Sequence, residues 1–240
     1  MEIPVFILAG GRGERLGGVG DRPKPLLEVA GRPFVAYLLE ALARQGFRRI
    51  FFLTGHGGEV FERFAQETRA ASVAGAELDL RCIREETPLG TGGALRGALP
   101  HVERAALVLN GDTYCDLDGR DLLRFQGEHE GALCLTAAPV EEAADYGTLT
   151  LDAAGRVQAF REKGAGGPGW VNAGAYALSR SFLETVPPGP SSLECNLLPA
   201  WLSREPVWAF RIAGPFHDIG TPERLARTRR DFPPGAPRRP

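Results

Sequence analysis

At 240 residues, with 28 Lys and Arg against 30 Asp and Glu, the chain has a formal net charge of -2, so no global positive field draws it to nucleic acid. Hydrophobic residues at 43% and charged residues at 24% match a globular chain that buries a sizeable core, as one large α/β domain or one domain with a small appended lobe. Cys82, Cys115, Cys134 and Cys195 lack C-x-x-C spacing, which argues against a disulfide framework or zinc site and suits a reducing cytoplasm; no run is long enough to cross a membrane, and the apolar stretch of MEIPVFILAGG is too short for a signal peptide.

In chain order, residues 4–9 form a short apolar run closing on glycines, the pattern of a buried parallel strand. A Gly/Arg/Pro-rich loop extends from Gly10 to about Pro25. Phe34, Tyr37, Leu38, Ala41 and Leu42 recur at helical spacing, with Pro33 near the first turn and Gly46 as the stop. Residues 50–53 read as a second strand. Val60, Phe61 and Phe64 mark a second helix, and residues 78–83 a third strand. Cys82 and Cys134 sit in strand-like runs as core residues. A second Gly-rich turn, residues 89–93, leads into a short helix, and residues 105–109 form a fourth strand ending at Asn110-Gly111-Asp112. This alternation predicts an α/β fold, a Rossmann-like three-layer sandwich with helices on both faces of a mostly parallel sheet.

The pattern then changes. Residues 133–140, 148–151, 157–160 and 171–178 are strand-like, with a hairpin turn at 152–155. They predict a β-rich second half folded onto the same sheet, which becomes mixed. Helices are expected at 193–203 and 222–230. The division read from this is one domain over residues 1–232, with halves of about 1–115 and 116–232, and a disordered Pro-rich tail at 233–240.

The first loop reads Gly10-Gly11-Arg12-Gly13-Glu14-Arg15-Leu16, then Pro23-Lys24-Pro25. It follows a strand, where ligands of open α/β sheets bind. Glycines let backbone N–H groups approach a phosphate, and Arg12, Arg15 and Lys24 supply charge for a triphosphate. A dinucleotide fingerprint fails because Leu16 stands where a third glycine belongs, and a P-loop fails for want of Gly-Lys-Ser/Thr. A merely tight turn is the bland alternative. The prolines flanking Lys24 weigh against it, since they fix the backbone around one lysine.

The stretch LAGGRGERL…RPKPLLEVAGRPF resembles the signature of the sugar-1-phosphate nucleotidyltransferases. PLGTGGAL, NGDT at 110–113, Tyr146-Gly147-Thr148, Glu162-Lys163-Gly164, Asn172-Ala173-Gly174 and Asp218-Ile219-Gly220-Thr221-Pro222 follow in the family's order. Residues 146–176 with SSLECNLLP look most like the guanylyltransferases for D-glycero-D-manno-heptose 1-phosphate, although Cys195-Asn196 stands where that pattern has Lys-Asp.

The resemblance implies a triphosphate loop at Leu8, Ala9, Gly10, Gly11, Arg12 and Gly13, a base-binding turn at Gly90, Thr91 and Gly92, and charge stabilisation by Arg15 and Lys24. It implies Mg²⁺ shared by Asp112 and Asp218, and a smaller β-rich sugar-binding lobe contributing Gly147, Glu162, Lys163 and Asn172. Its partners are then a nucleoside triphosphate and a sugar 1-phosphate, with neither nucleic acid nor membrane. The chain is read as a monomer or a homo-oligomer. Glu85 precedes the base turn, and its carboxylate matches the two adjacent donors of guanine; a solvated strand end is the alternative. Uridylyl or thymidylyl transfer, molybdopterin guanylyl transfer and a non-catalytic nucleotide sensor are the rivals. His217 reads as structural, and His56, His101 and His129 as surface or loop residues.

Overall fold

The computed structural model describes residues 2–11, 22–55, 57–162 and 166–232. The first half runs β1 (Val5–Leu8), a hairpin of β2 (Glu28–Val29) and β3 (Arg32–Pro33), α1 (Phe34–Arg44), β4 (Arg49–Thr54), α2 (Gly58–Ala71), β5 (Asp79–Arg84), α3 (Gly90–Ala98), β6 (Ala105–Asn110) and β7 (Thr113–Cys115). The second half runs α4 (Gly119–Glu128), β8 (Leu133–Val140), β9 (Thr148–Leu151), β10 (Val157–Arg161), β11 (Gly169–Ser179), α5 (Arg180–Thr185), α6 (Leu198–Leu202), β12 (Trp208–Arg211), β13 (Phe216–Asp218) and α7 (Pro222–Asp231).

One nine-stranded sheet carries both halves, in the order β10-β9-β11-β6-β1-β4-β5, with β8 between β11 and β12. β1, β4, β5 and β6 are parallel. β11 joins β6 antiparallel and makes the sheet mixed. β1 shows why these strands read as unbroken apolar runs. Val5 and Ile7 enter one core and Phe6 the other, so both faces are buried and no alternation of polarity is needed. The layer containing α1, α2 and α4 closes the first core, and that containing α3, α5 and α6 closes the second. Burial pushes the Cys134 thiol up to about 12 and that of half-buried Cys82 to about 11, so neither is a nucleophile at neutral pH.

The expected elements recur within one or two residues, with instructive exceptions. Gly46 stops α1 at φ +83, and Asp152 Oδ1 accepts the Arg156 N–H at 2.9 Å to shape the 152–155 turn. The helix expected at 193–203 is instead a π-helical turn, Leu193–Leu197, followed by α6. Pro199 lacks the N–H that a continuous helix would need there, and the Leu198 N–H instead reaches the Leu193 carbonyl. The glycines of 90–93 form the first turn of α3, so they are a helix N-terminus rather than a free loop. No helix among the described residues is long and apolar enough to cross a membrane. The proposed tail lies outside the described residues.

Candidate active site

A cleft of about 1630 Å³ opens over the carboxyl ends of the parallel strands. Leu8 ends β1 and Ala9 to Gly11 follow it, Gly55 follows β4, Glu85 follows β5 and Asp112 follows β6, and all line it. The opposite wall comes from Tyr146, Gly147, Phe160, Glu162, Asn172 and the 192–195 segment. The site is therefore built between the two halves, where an open α/β sheet collects ligands.

The floor holds Lys24, Asp112 and Asp218. Lys24 begins a 3₁₀ turn, Lys24–Leu26, fixed by the Leu26 N–H to the Pro23 carbonyl at 2.9 Å. Gly111 lets this turn approach: a Cβ there would stand 2.7 Å from the Leu8 carbonyl oxygen and 2.8 Å from Pro25 Cγ. Lys24 Nζ consequently lies 3.7 Å from Asp112 Oδ2. The two-stranded pairing of β7 with β13 sets Asp218 opposite Thr113, and the Ile219 N–H donates to the Asp112 carbonyl at 3.0 Å. The distant aspartates become neighbours by this pairing. Desolvation, then the charge of Asp218, pushes the Asp112 carboxyl above its usual range, and Lys24 opposes that shift. Asp218 Oδ1 accepts from the Gly220 N–H at 2.9 Å and from Arg224 at 3.1 Å. Asp112 and Asp218 are thus two acidic oxygen donors facing each other with incomplete cationic compensation. Such a set fits a hard dication that takes few carboxylates and completes its shell with phosphate and water.

On the nucleotide side Glu85 lies among glycines. A Cβ on Gly55 would meet Glu85 Oε1 at 2.7 Å, and one on Gly10 at 3.2 Å, so these two positions admit the carboxylate because they have no side chains. Glu85 Oε2 accepts from the Leu89 N–H at 3.2 Å, and burial raises its carboxyl above the usual value. Thr91 lines the cleft and donates to Glu194 Oε2 at 2.9 Å. Glu194 Oε1 accepts from the Tyr176 hydroxyl at 3.2 Å, which accepts from Asn172 Nδ2 at 2.7 Å. A hydrogen-bond chain therefore links the start of α3 to Asn172 across the cleft.

Asn172 owes its place to an irregularity in β11. The register against β8 shifts between Asn172 and Tyr176, and Gly174 sits there at φ +77. A Cβ on Gly174 would stand 2.6 Å from Thr113 Oγ1 and 2.8 Å from Asn110 Nδ2. Gly174→Ala is therefore expected to lose about 1–3 kcal/mol of stability through left-handed strain and overlap. Urea unfolding checks this, and a midpoint equal to that of the unaltered protein would contradict it. Gly147 meets the same constraint differently, since a Cβ there would be 2.7 Å from Phe160 Cζ.

Of the residues singled out from sequence, Leu8, Ala9, Gly10, Gly11, Lys24, Glu85, Gly90, Thr91, Asp112, Gly147, Glu162, Asn172 and Asp218 line this one cleft. Gly92 does not: its N–H donates to the Ser191 carbonyl at 2.8 Å, and a Cβ there would overlap the Ser191 and Leu197 side chains. Arg12, Gly13, Arg15, Lys163 and His56 lie outside the described residues. His217 is wedged against Phe232, ring centroids 5.0 Å apart, and burial lowers its pKa, which suits a packing role. His101 stacks on Phe51 at 4.6 Å, and His129 packs at a tilt against Phe125 at 4.0 Å. Arg224 lines the cleft and was not singled out from sequence, and Tyr146, Tyr176 and Glu194 stood in quoted motifs without a role of their own. Their spacing carries no signal, because they become significant only through contacts made by folding.

Residues 4–232 match the family described as nucleotidyl transferase. The mannose-1-phosphate guanylyltransferase of Mycobacterium tuberculosis is 31% identical over 237 residues, covering 96% of this chain and 65% of that protein. The catalytic subunit beta of the mannose-1-phosphate guanylyltransferase of Danio rerio is 33% identical over 235 residues, covering 92% of this chain and 62% of the relative. The chain thus spans less than two thirds of the length of these curated relatives. Among solved structures, HddC from Yersinia pseudotuberculosis superposes with a TM-score of 0.83 at 33% identity, over 96% of this chain and 100% of that one. A second structure of HddC, in complex with GMP-PN, gives the same TM-score of 0.83.

Proposed function

The chain belongs to the nucleotidyl transferase family, and on that premise we propose that it transfers a guanylyl group from GTP to a sugar 1-phosphate of the heptose or mannose type, giving a GDP-sugar and pyrophosphate. The observation that carries this reading is the meeting of Lys24, Asp112 and Asp218 on the floor of one two-sided cleft. A sugar phosphate oxygen attacks the α-phosphorus in line. A new P–O bond forms, the bond from the α-phosphorus to the bridging oxygen breaks, and its electron pair leaves with pyrophosphate. Sugar phosphates are ionised at neutral pH, so no protein nucleophile or general base is needed, and catalysis is positioning plus charge stabilisation.

Lys24 faces the developing negative charge as a fixed cation. Asp112 and Asp218 would hold Mg²⁺, which supplies neutralisation between two anions that must touch. Glu162, Asn172 and the backbone at Gly147 offer acceptors and donors to sugar hydroxyls. Arg15 and Lys163 are assigned to the phosphates by the family's motif order.

The guanine assignment is supported by Glu85, which lines the cleft with a carboxylate able to accept from an N1–H and N2–H₂ edge, and by the GMP-PN complex of HddC. In competition among equal GTP, UTP, CTP and dTTP, GTP is expected to be consumed first. Glu85→Gln is expected to raise KM for GTP by roughly 10–100-fold, the cost of one unpaired or mispaired buried group. Equal use of UTP or dTTP by the unaltered protein would overturn the base assignment and leave the transfer chemistry standing.

A further inference from the structure

Arg224 has no part in the chemistry above, yet its guanidinium is among the more heavily engaged groups in the cleft wall. It lies on the first turn of α7, whose N-terminus is capped by Thr221 Oγ1 accepting from the Arg224 N–H at 3.3 Å. Its side chain is only 14% exposed. One terminal nitrogen donates to Asp218 Oδ1 at 3.1 Å, and the other reaches the Asp145 carbonyl oxygen at 3.4 Å. The exposed Asp145 carboxylate adds an ion pair at 3.5 Å. The guanidinium carbon lies over the Tyr146 ring, 3.9 Å from its centroid.

We propose that Arg224 is a positioning residue that fastens the sugar-facing turn at 145–147 to the strand bearing Asp218, and so holds the sugar phosphate and the metal in one register. The inference deepens the functional reading above and rests on it. Two consequences follow from the contacts. Asp218 Oδ1 is fully engaged by Gly220 and Arg224, which leaves Oδ2 as its oxygen for a cation. The turn is tied onward to the sugar side, because the Gly147 carbonyl accepts from the Asn172 N–H at 2.8 Å. Tyr146 also packs edge-on against Phe216, two residues before Asp218, with ring centroids 5.6 Å apart. A lysine has charge but no planar fork, so it cannot both stack on Tyr146 and bridge two acceptors.

Arg224→Met and Arg224→Lys are compared with the unaltered protein in two measurements. The first is amide hydrogen exchange on the protein without substrates. Faster exchange at Tyr146 and Asn172 is expected in Arg224→Met, with β1 and β6 amides unchanged. The second is steady-state kinetics. KM for the sugar 1-phosphate and the Mg²⁺ concentration for half-activation are expected to rise roughly 10–100-fold, the usual cost of removing a partner that orients a metal ligand. KM for GTP stays near its original value, and lysine restores only part of the loss. Unchanged exchange at Tyr146 and Asn172 overturns the proposal, as does an equal rise in both substrate KM values. If Arg224→Met also loosens β1 and β6, Tyr146→Leu removes the stack while sparing the ion pair, and the local loosening is expected there without the global one; its absence overturns the proposal. Failure of every sugar 1-phosphate with the unaltered protein would refute the functional reading, whereas the exchange data judge the fastening of the turn independently of turnover.

Discussion

Asp112→Asn and Asp218→Asn are each expected to cut turnover by at least roughly 10²–10³-fold, the loss that follows removal of one preorganised electrostatic stabiliser. Their effects on stability are expected to differ in kind. The Asp112 carboxyl is pushed above its usual range by desolvation and by Asp218. A raised folded-state pKa means that the ionised group opposes folding at pH values above its unfolded pKa. A neutral amide at 112 therefore keeps or gains stability at neutral pH in a chelator. Asp218, by contrast, is 11% exposed and accepts from the Gly220 N–H and from Arg224. An amide there breaks a buried ion pair, and a loss of about 1–3 kcal/mol is expected. Thermal unfolding in chelator separates the two variants, and titration with Mg²⁺ stabilises the unaltered protein but neither variant. Near-normal turnover in both variants would refute the metal assignment. A stability loss at Asp112 as large as that at Asp218 would show that Asp112 is a structural residue.

Lys24→Met is expected to lower kcat by roughly 10²–10³-fold with little change in KM for GTP. Pro23 and Pro25 fix the backbone on either side, the 3₁₀ turn holds the Cα, and the Nζ atom rests 3.7 Å from Asp112 on the floor of the cleft. A cation so placed loses no orientational freedom when charge develops on the reacting phosphates, so its contribution falls on the transition state. Single-turnover kinetics beside steady-state measurements check this. An increase in KM at constant kcat would mean that Lys24 contributes only uniform binding.

The sheet was legible because its parallel strands are buried on both faces, and runs such as Val5 to Leu8 keep that signature in sequence. Lys24, Asp112 and Asp218 were legible as members of motifs that resemble the family's, and Pro23 and Pro25 marked Lys24 in particular. The β7–β13 pair that unites the two aspartates was not legible. It has three residues in each strand and joins segments far apart in the chain, so no local periodicity announces it. The π-helical turn before α6 was not separated from the helix expected at 193–203, although Pro199 lacks the N–H that an unbroken helix would use. Glu194 and Arg224 belong to the cleft through partners on other elements, Thr91 and Tyr176 for one, Asp145 and Tyr146 for the other. Gly92 shows the converse, a motif glycine whose missing side chain makes room for Ser191 and Leu197 behind the cleft.

Nucleotidyl transfer at this cleft is tested by product analysis of one reaction. The unaltered protein is incubated with GTP, Mg²⁺ and either heptose 1-phosphate or mannose 1-phosphate, and the products are read by mass and by phosphorus resonance. A GDP-sugar and pyrophosphate are expected in equal amounts, with the α-phosphorus of GTP retained in the sugar nucleotide. Release of inorganic phosphate with GDP, or no pyrophosphate with either sugar 1-phosphate, would contradict it.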